Sequence, residues 1–198
     1  MKEREDIHII GDEKMRSYVY GKNHLAAAVV RDRKLRIEDG GSYPITYSSI
    51  DNYIKSGLPS DIMFRTENTK VLEIGVGLSE FLPRFAVKAT YRPVAIGPDN
   101  YSVMMILCNA VAQGSQESSE IRTLAAELAE RARIMMSDKV ELINTTFDEA
   151  MKSLQHRIGQ FDVVINVASS GYYSQGGIKD AVSFLRPGGI YIPAYDFP

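Results

Sequence analysis

The sequence predicts an α/β fold: a doubly wound, mostly parallel sheet with a small β extension at the amino terminus. From residue 70 onward, short apolar segments of strand length alternate with segments of helical periodicity, which is typical of βαβ units. The first of these strands runs into two alternate glycines, Gly75 and Gly77, where the chain must turn. The chain has 198 residues and is 44% hydrophobic, which suffices for a substantial core.

The amino-terminal region differs in character and predicts the β extension. Two apolar segments within residues 25–37 flank a charged turn, a pattern typical of a β-hairpin. Two glycines at 40–41 form a joint, and a helix over residues 48–55 leads into the sheet. We therefore expect an extension over residues 1–48 and an α/β domain over residues 49–198.

The α/β domain is predicted to contain five strands and the helices between them. The predicted strands are residues 70–75, 93–97, 140–144, 161–167 and 189–193. The predicted helices are residues 80–88, residues 101–113, a helix that restarts after a break at residues 114–119 and has its apolar stripe over residues 121–135, residues 148–156 and residues 177–185. In the third helix the apolar stripe is expected to lie on the sheet, and Glu117 and Glu120 are expected to favour its positive amino-terminal end.

Composition narrows the class of protein. A formal net charge of -2 and a pI near 6.0 give no global attraction to nucleic acid or membranes. The basic residues of the hairpin are diluted by Asp32 and Glu38, so a solvated hairpin is favoured over an RNA-binding surface. The apolar runs are too short to span a bilayer.

Compartment and metal content follow from a few residue types. The charged amino terminus has no apolar region after it, so no secretion signal is expected. The single cysteine, Cys108, excludes an internal disulfide and lies in an apolar helix, where core packing is expected. Three scattered histidines show no metal-ligand spacing. We expect a cytoplasmic protein with no metal site.

The glycine turn after the first strand predicts a ligand site. Gly75 and Gly77 remove side chains where the backbone turns and where a ligand can approach closely. Ser79 offers an oxygen that can cap the following helix. A second acid, Asp99, ends the next strand 22 residues after Gly77 and could accept both ribose hydroxyls of a nucleoside. The alternative for Asp99 is a turn or a cap of the helix that follows Asn100.

The charges near this turn indicate which nucleoside it could hold. A dinucleotide fingerprint starting at Gly75 requires glycine at position 80, where Glu80 stands. A carboxylate at a helix amino terminus repels pyrophosphate, whereas a ligand with amino and sulfonium cations tolerates Glu73 and Glu80. A phosphate-free, cationic nucleoside is therefore favoured.

These segments together resemble the class I S-adenosylmethionine-dependent methyltransferases. The family's acid-x-Gly-x-Gly motif is matched at Glu73, Gly75 and Gly77, and its second-strand acid at Asp99. Its fourth strand resembles residues 161–166, and its fifth-strand entrance resembles residues 184–190. The resemblance extends from about residue 48 to the end of the chain.

The resemblance implies S-adenosylmethionine as cofactor and a Rossmann-like fold. It implies that Glu73 faces the methionine amino group, that Asp99 holds the ribose, and that the amide near Phe147 touches the adenine edge. Ser79 replaces the third glycine of the motif, and Thr146 stands where the family often has an adenine-binding Asp. The residues implied to bind the cofactor are Glu73, Gly75, Gly77, Ser79, Asp99, Thr146, Phe147 and Asn166.

The methyl acceptor is expected to be a small molecule. Asn166 is followed by Val167-Ala168-Ser169, which differs from the Asn-Pro-Pro-Tyr sequence of amino-methylating nucleic-acid enzymes. Ser169, Tyr172 and Tyr173 also follow the fourth strand, but a polar loop is favoured over direct catalysis, and no catalytic base is assigned. Asp162 begins its strand at the opposite end of the sheet and is expected to be structural.

Three alternatives remain open from the sequence. The first is a binding protein that keeps the cofactor pocket without turnover. The second is an aminopropyltransferase, which would need acids after the fourth strand, where residues 169–173 are neutral. The third is a dinucleotide oxidoreductase, which Glu80 disfavours.

The fifth strand, residues 189–193, is expected to be the edge of the sheet. Either the amino-terminal hairpin or a second copy of the chain is expected to cover it. The second possibility corresponds to a homodimer.

Overall fold

The computed structural model describes residues 7–21, 26–39, 44–45, 47–167 and 177–194. Its strands are β1 Ile7–Gly11, β2 Met15–Tyr20, β3 Ala26–Arg31, β4 Lys34–Asp39, β5 Pro44–Ile45, β6 Val71–Ile74, β7 Val94–Ile96, β8 Glu141–Ile143, β9 Phe161–Val167 and β10 Leu185–Ala194. Its helices are α1 Ile50–Lys55, α2 Phe81–Lys88, α3 Tyr101–Gln113, α4 Ser119–Met135, α5 Phe147–Leu154 and α6 Gly177–Ser183.

The chain divides into two compact units. The first comprises Met1–Thr46 and Asn100–Met136, and the second comprises Tyr47–Asp99 and Ser137–Pro198. The sequence boundary at residue 48 lies close to one of these divisions. The sequence predicts that α3 and α4 belong to the α/β domain, whereas the structure groups these two helices with the amino-terminal strands.

The first unit is an antiparallel sheet with two helices on it. Its strand order is β1-β2-β3-β4-β5, and every pairing is antiparallel. The predicted hairpin is β3 and β4, joined by Asp32 and Arg33, both of which have positive φ, as tight hairpin turns require. Helix α3 packs on β2 and β3, and α4 packs on β4. The extension is thus a five-stranded sheet rather than a lone hairpin.

A buried ion pair ties the first unit together. Arg16 on β2 donates to Glu117, in the turn between α3 and α4, over 2.6 Å, and the Tyr18 hydroxyl donates to the same carboxylate oxygen over 2.8 Å. The Glu117 carboxylate lies one residue before the cap of α4 and contacts β2, whereas Glu120 lies in the first turn of α4, as expected. The amino-terminal cap is Ser118, whose hydroxyl accepts from the Ile121 amide.

The second unit is a parallel sheet flanked by helices on both faces. Its strand order is β10-β9-β6-β7-β8, and all of its pairings are parallel. One face packs on α5 and α6 and forms a core that includes Leu72, Val164 and Phe184. On the other face, Tyr53 of α1 meets Phe81 of α2 edge to face. The predicted fold class is confirmed as a Rossmann-like α/β fold with an additional antiparallel sheet.

Strand β10 begins earlier than the sequence indicates. Leu185 already pairs with Phe161, and the register then shifts before Ile190 pairs with Val163. The residues between the predicted helix at 177–185 and the predicted strand at 189–193 therefore form a bulge within β10, where Gly188 has a positive φ of 78°.

The edge position of β10 is as predicted. Among the described residues it pairs with β9 on one side, and the amino-terminal strands pair with one another instead. Proline has no amide hydrogen to donate, so Pro193 shortens the ladder that this edge could offer to another strand. Coverage of the edge by a second copy of the chain stays a prediction.

Two further sequence observations can be compared with the structure. Cys108 is fully buried in α3, so the predicted core role is confirmed, and burial raises the pKa of its thiol to about 12. Across the described ranges, none of the helices combines the length and apolar character that a membrane crossing requires.

Candidate functional site

The candidate site lies along one edge of the parallel sheet. Asn166, Ile74, Ile96 and Ile143 form a row across four adjacent strands, β9, β6, β7 and β8. Each lies at or near the carboxyl end of its strand, so the segments that follow emerge side by side. The order of strands reverses between β6 and β9, which is where ligands bind in open parallel α/β sheets.

The glycine turn follows β6 directly. Gly75 and Gly77 have φ angles of 71° and 50°, a conformation that residues with a side chain rarely adopt. The Gly75 amide donates to the Ile96 carbonyl over 2.8 Å, which extends the ladder with β7. Ser79 accepts from the Leu82 amide over 3.4 Å in the first turn of α2, so its predicted capping contact is present. The turn thus needs glycine for backbone reasons alone.

Glu73 lies beneath this turn and is completely buried. Tyr53 of α1 donates its hydroxyl to one carboxyl oxygen over 2.8 Å, and Ser79 donates to the other over 3.2 Å. Its strand neighbours in the sheet are Ala95 and Ile165, which carry no charge. Burial therefore raises the pKa of Glu73 to about 8, although both hydroxyl donors lower it.

Tyr53 is a contact of Glu73 that the sequence does not predict. It lies on α1, 20 residues before Glu73, and it is fully buried. A lone Tyr on a short helix gives no local sign of this contact. Burial and the neighbouring carboxyl raise the pKa of Tyr53 well above its ordinary value.

The buried carboxyl predicts an unusual pH dependence of stability. Glu73 ionises near pH 4.5 in the unfolded chain and near pH 8 in the folded protein. Between these values the native state holds a proton that the unfolded state has lost, so stability falls as pH rises. We expect the free energy of unfolding to fall by on the order of 1–3 kcal/mol across this window.

Urea denaturation of the wild type and of Glu73→Gln between pH 5 and 9 measures this effect. The glutamine variant keeps a polar group of similar shape that does not ionise, so its profile is expected to be flatter over that range. Parallel profiles for the two proteins would show that Glu73 does not carry the dependence.

Asp99 follows β7 at the same edge of the sheet. Asn100, not Asp99, caps α3, since its side-chain oxygen accepts from the Val103 amide over 3.2 Å. The capping alternative for Asp99 is therefore wrong. Asp99 is partly exposed.

Glu80 has partners of its own in the second unit. Its carboxylate accepts from the Ile50 amide at the start of α1 over 3.1 Å and pairs with Arg84 over 2.8 Å. The Glu80 amide donates to the Ser48 carbonyl over 2.9 Å. Glu80 thus links the start of α2 to the start of α1.

Thr146 and Phe147 follow β8 at the beginning of α5. Thr146 is the amino-terminal cap residue, and its hydroxyl donates to Glu149 over 3.1 Å. Thr145 and Thr146 together lower the pKa of the Glu149 carboxyl. The Phe147 side chain packs in the core against Phe184, so only its backbone could face a ligand.

Asn166 ends the row on β9 and is fully buried. Its side-chain amide donates to the Tyr191 hydroxyl on β10 over 3.3 Å. Ser169, Tyr172 and Tyr173, which sequence analysis considers as a polar loop, lie outside the described residues. Asp162 lies at the opposite end of β9, where it accepts from the Lys70 amide over 2.7 Å and pairs with Arg186, as expected for a structural role.

The solved structures that are similar to this chain include two enzymes. A precorrin 8W decarboxylase from Methanobacterium thermoautotrophicum matches 68% of this chain with 16% sequence identity and a TM-score of 0.39. Spermidine synthase from Thermotoga maritima matches 93% of it with 13% identity and a TM-score of 0.44. The matches cover 61% and 55% of those two chains, respectively. No protein-family model and no curated protein sequence matches significantly.

Proposed function

We propose that this protein binds S-adenosylmethionine at the carboxyl edge of β6, β7, β8 and β9 and transfers its methyl group to a small molecule. One observation carries the proposal. The positive-φ glycine turn and Asp99 follow two adjacent, in-register strands beside the point where the strand order reverses. That arrangement suits a nucleoside with its ribose at Asp99 and its tail at Gly75 and Gly77.

The charges at this edge favour a cationic ligand over a phosphate. Glu80 lies immediately before α2, and its carboxylate, which is bonded to the Ile50 amide and to Arg84, occupies the helix amino terminus that a pyrophosphate would otherwise meet. Glu73 lies directly under the glycine turn and can supply a negative charge when it ionises. A sulfonium and an ammonium group are stabilised by such carboxylates, whereas phosphates are repelled.

Methyl transfer requires positioning more than it requires a catalytic residue. The bond from sulfur to the methyl carbon breaks as the acceptor's lone pair forms the new bond, and the sulfonium becomes a neutral thioether. A base is needed only when the acceptor must lose a proton. In the proposed arrangement, the acceptor approaches near Asn166 and Tyr191, where the amide and hydroxyl can orient a polar group.

Calorimetry with S-adenosylmethionine, S-adenosylhomocysteine and NAD tests the proposal. We expect the first two to bind and NAD to bind at least tenfold more weakly, because its pyrophosphate meets Glu80. Failure of both sulfur nucleosides to bind would contradict the proposal. Binding without methylated product across a panel of small molecules would instead favour a non-catalytic binding protein.

A further inference from the structure

The Tyr53, Glu73 and Ser79 side chains form a closed polar cluster beneath the glycine turn. Tyr53 and Glu73 are each fully buried, and Ser79 is almost completely so. Each oxygen of the Glu73 carboxyl group accepts one hydrogen bond, from the Tyr53 hydroxyl over 2.8 Å and from the Ser79 hydroxyl over 3.2 Å. No ion pair to Glu73 is found within the described part of the chain, so its charge would have no cationic partner there.

The groups packed around Glu73 are uncharged or face elsewhere. Within the sheet its neighbours are Ala95 and Ile165. From α1 it meets the Tyr53 hydroxyl, and before α2 it meets Ser79. The next carboxylate, Glu80, is bonded to the Ile50 amide and to Arg84. Residues 168–176, which lie outside the described ranges, contain no charged residue in the sequence.

Complete burial and the lack of a cationic partner among the described residues favour the neutral acid of Glu73, whereas the two hydroxyl donors favour the carboxylate. Burial outweighs the two donors, in agreement with the raised pKa of Glu73. Glu73 is also two residues from Gly75, which has no side chain to separate the carboxyl from a ligand lying on the turn.

We propose that Glu73 is a buried acid that releases its proton when a cationic ligand binds on the glycine turn, and that Tyr53 is the positioning residue that holds its carboxyl group. Glu73 is a neutral acid when the site is empty. When a cationic nucleoside binds on the turn, Glu73 loses its proton to solvent, and its carboxylate then offsets the ligand's positive charge. This inference rests on the proposed function, because the sulfonium and ammonium groups belong to the S-adenosylmethionine that the proposed function assigns to this site.

Tyr53 determines how readily the proton leaves. Its hydroxyl donates to Glu73 and therefore stabilises the carboxylate over the acid. Phenylalanine at position 53 would keep the ring that packs against Phe81 and remove the hydroxyl that donates to Glu73. The variant Tyr53→Phe thus makes ionisation of Glu73 harder without emptying the core.

The first experiment measures the protonation state of Glu73 in the absence of a ligand. Infrared spectroscopy between pH 5 and 10 follows the carbonyl band of a buried, protonated carboxyl in the wild type, with Glu73→Gln as the control. We expect a band that disappears with a midpoint near pH 8 and is absent from the control. In Tyr53→Phe the midpoint is expected to rise by about one pH unit. An ionised Glu73 at pH 6.5, or the same midpoint in both proteins, would overturn the inference.

The second experiment counts protons on binding. Calorimetry with S-adenosylmethionine at pH 7 in buffers of different ionisation enthalpy is expected to show release of close to one proton in the wild type. Glu73→Gln is expected to show at least half a proton less. The ligand's own amino group also titrates near this pH, but it contributes to both proteins, so the difference isolates Glu73.

The dependence of binding affinity on pH distinguishes a positioning role of Tyr53 from a merely structural one. In Tyr53→Phe we expect about tenfold weaker binding at pH 7 and recovery towards the wild-type value at pH 9, where ionisation costs less. Ser79→Ala removes the other donor and should shift the profile in the same direction, which keeps the test available if Tyr53→Phe folds poorly. A loss of affinity that is equal at every pH would overturn the inference.

The outcomes distinguish this inference from the proposed function. Binding with no difference in proton release between wild type and Glu73→Gln overturns the inference and leaves the function standing. Absence of binding at every pH overturns the function and the ligand coupling together, while the infrared titration still decides whether Tyr53 controls the ionisation of Glu73.

Discussion

Replacing Asp99 with alanine is expected to weaken binding of S-adenosylmethionine by on the order of 100-fold. A carboxylate that accepts both ribose hydroxyls forms two charge-assisted hydrogen bonds, each of which typically contributes about 1.5–3 kcal/mol. Asn100, which caps α3, is untouched by this change. The loss should therefore appear in the dissociation constant measured by calorimetry, and thermal denaturation measures separately any change in stability.

Asp138→Ala is the control for this variant. Asp138 is an exposed acid shortly before β8, at the end of the sheet opposite the candidate site. It removes the same charge and is expected to leave affinity within about twofold. If Asp99→Ala binds as tightly as the control, the ribose assignment is wrong, whatever else binds at this edge.

Replacing Gly75 with alanine is expected to reduce affinity by at least tenfold and stability by about 1 kcal/mol. The stability loss has a backbone cause, because Gly75 has a φ of 71°, where a Cβ is strained. The affinity loss has a separate cause. In the proposed site the added methyl group occupies space that the amino-acid part of the ligand needs.

Gly159→Ala separates these two causes. Gly159 has a nearly identical φ of 73°, and the nearest atom to an added Cβ is the Leu185 carbonyl oxygen at 4.0 Å. It precedes β9 at the opposite end of the sheet. This control should lose similar stability in urea denaturation and keep wild-type affinity. Equal losses of affinity in both variants would mean that strain, and not ligand contact, explains the result.

The parallel sheet could be predicted because its signals are local. Each strand after residue 70 is a short apolar run, and each is bounded by glycine, proline or a polar turn. The grouping of α3 and α4 could not be predicted in this way. Periodicity identifies the apolar face of a helix, but it does not show which of two sheets that face packs against. Here α3 packs on β2 and β3, and α4 packs on β4.

Buried polar contacts explain the other differences. Strand β2 carries Arg16 at an inward position, which disturbs the alternation expected of a strand, and only the distant Glu117 makes that position tolerable. Likewise, Glu73 could be assigned to the ligand site from its motif, but its contact with Tyr53 depends on how α1 packs. In both cases the partner lies in another element, so no pattern of neighbouring residues predicts it.

The most direct measurement of the central claim is a crystal structure of the protein with S-adenosylhomocysteine. The account predicts that the ribose hydroxyls lie within hydrogen-bond distance of Asp99 and that the amino-acid tail lies on Gly75 and Gly77. It also predicts the adenine beside the Phe147 amide. A nucleoside bound at any other place, with the carboxyl edge of β6 and β7 empty, would contradict it.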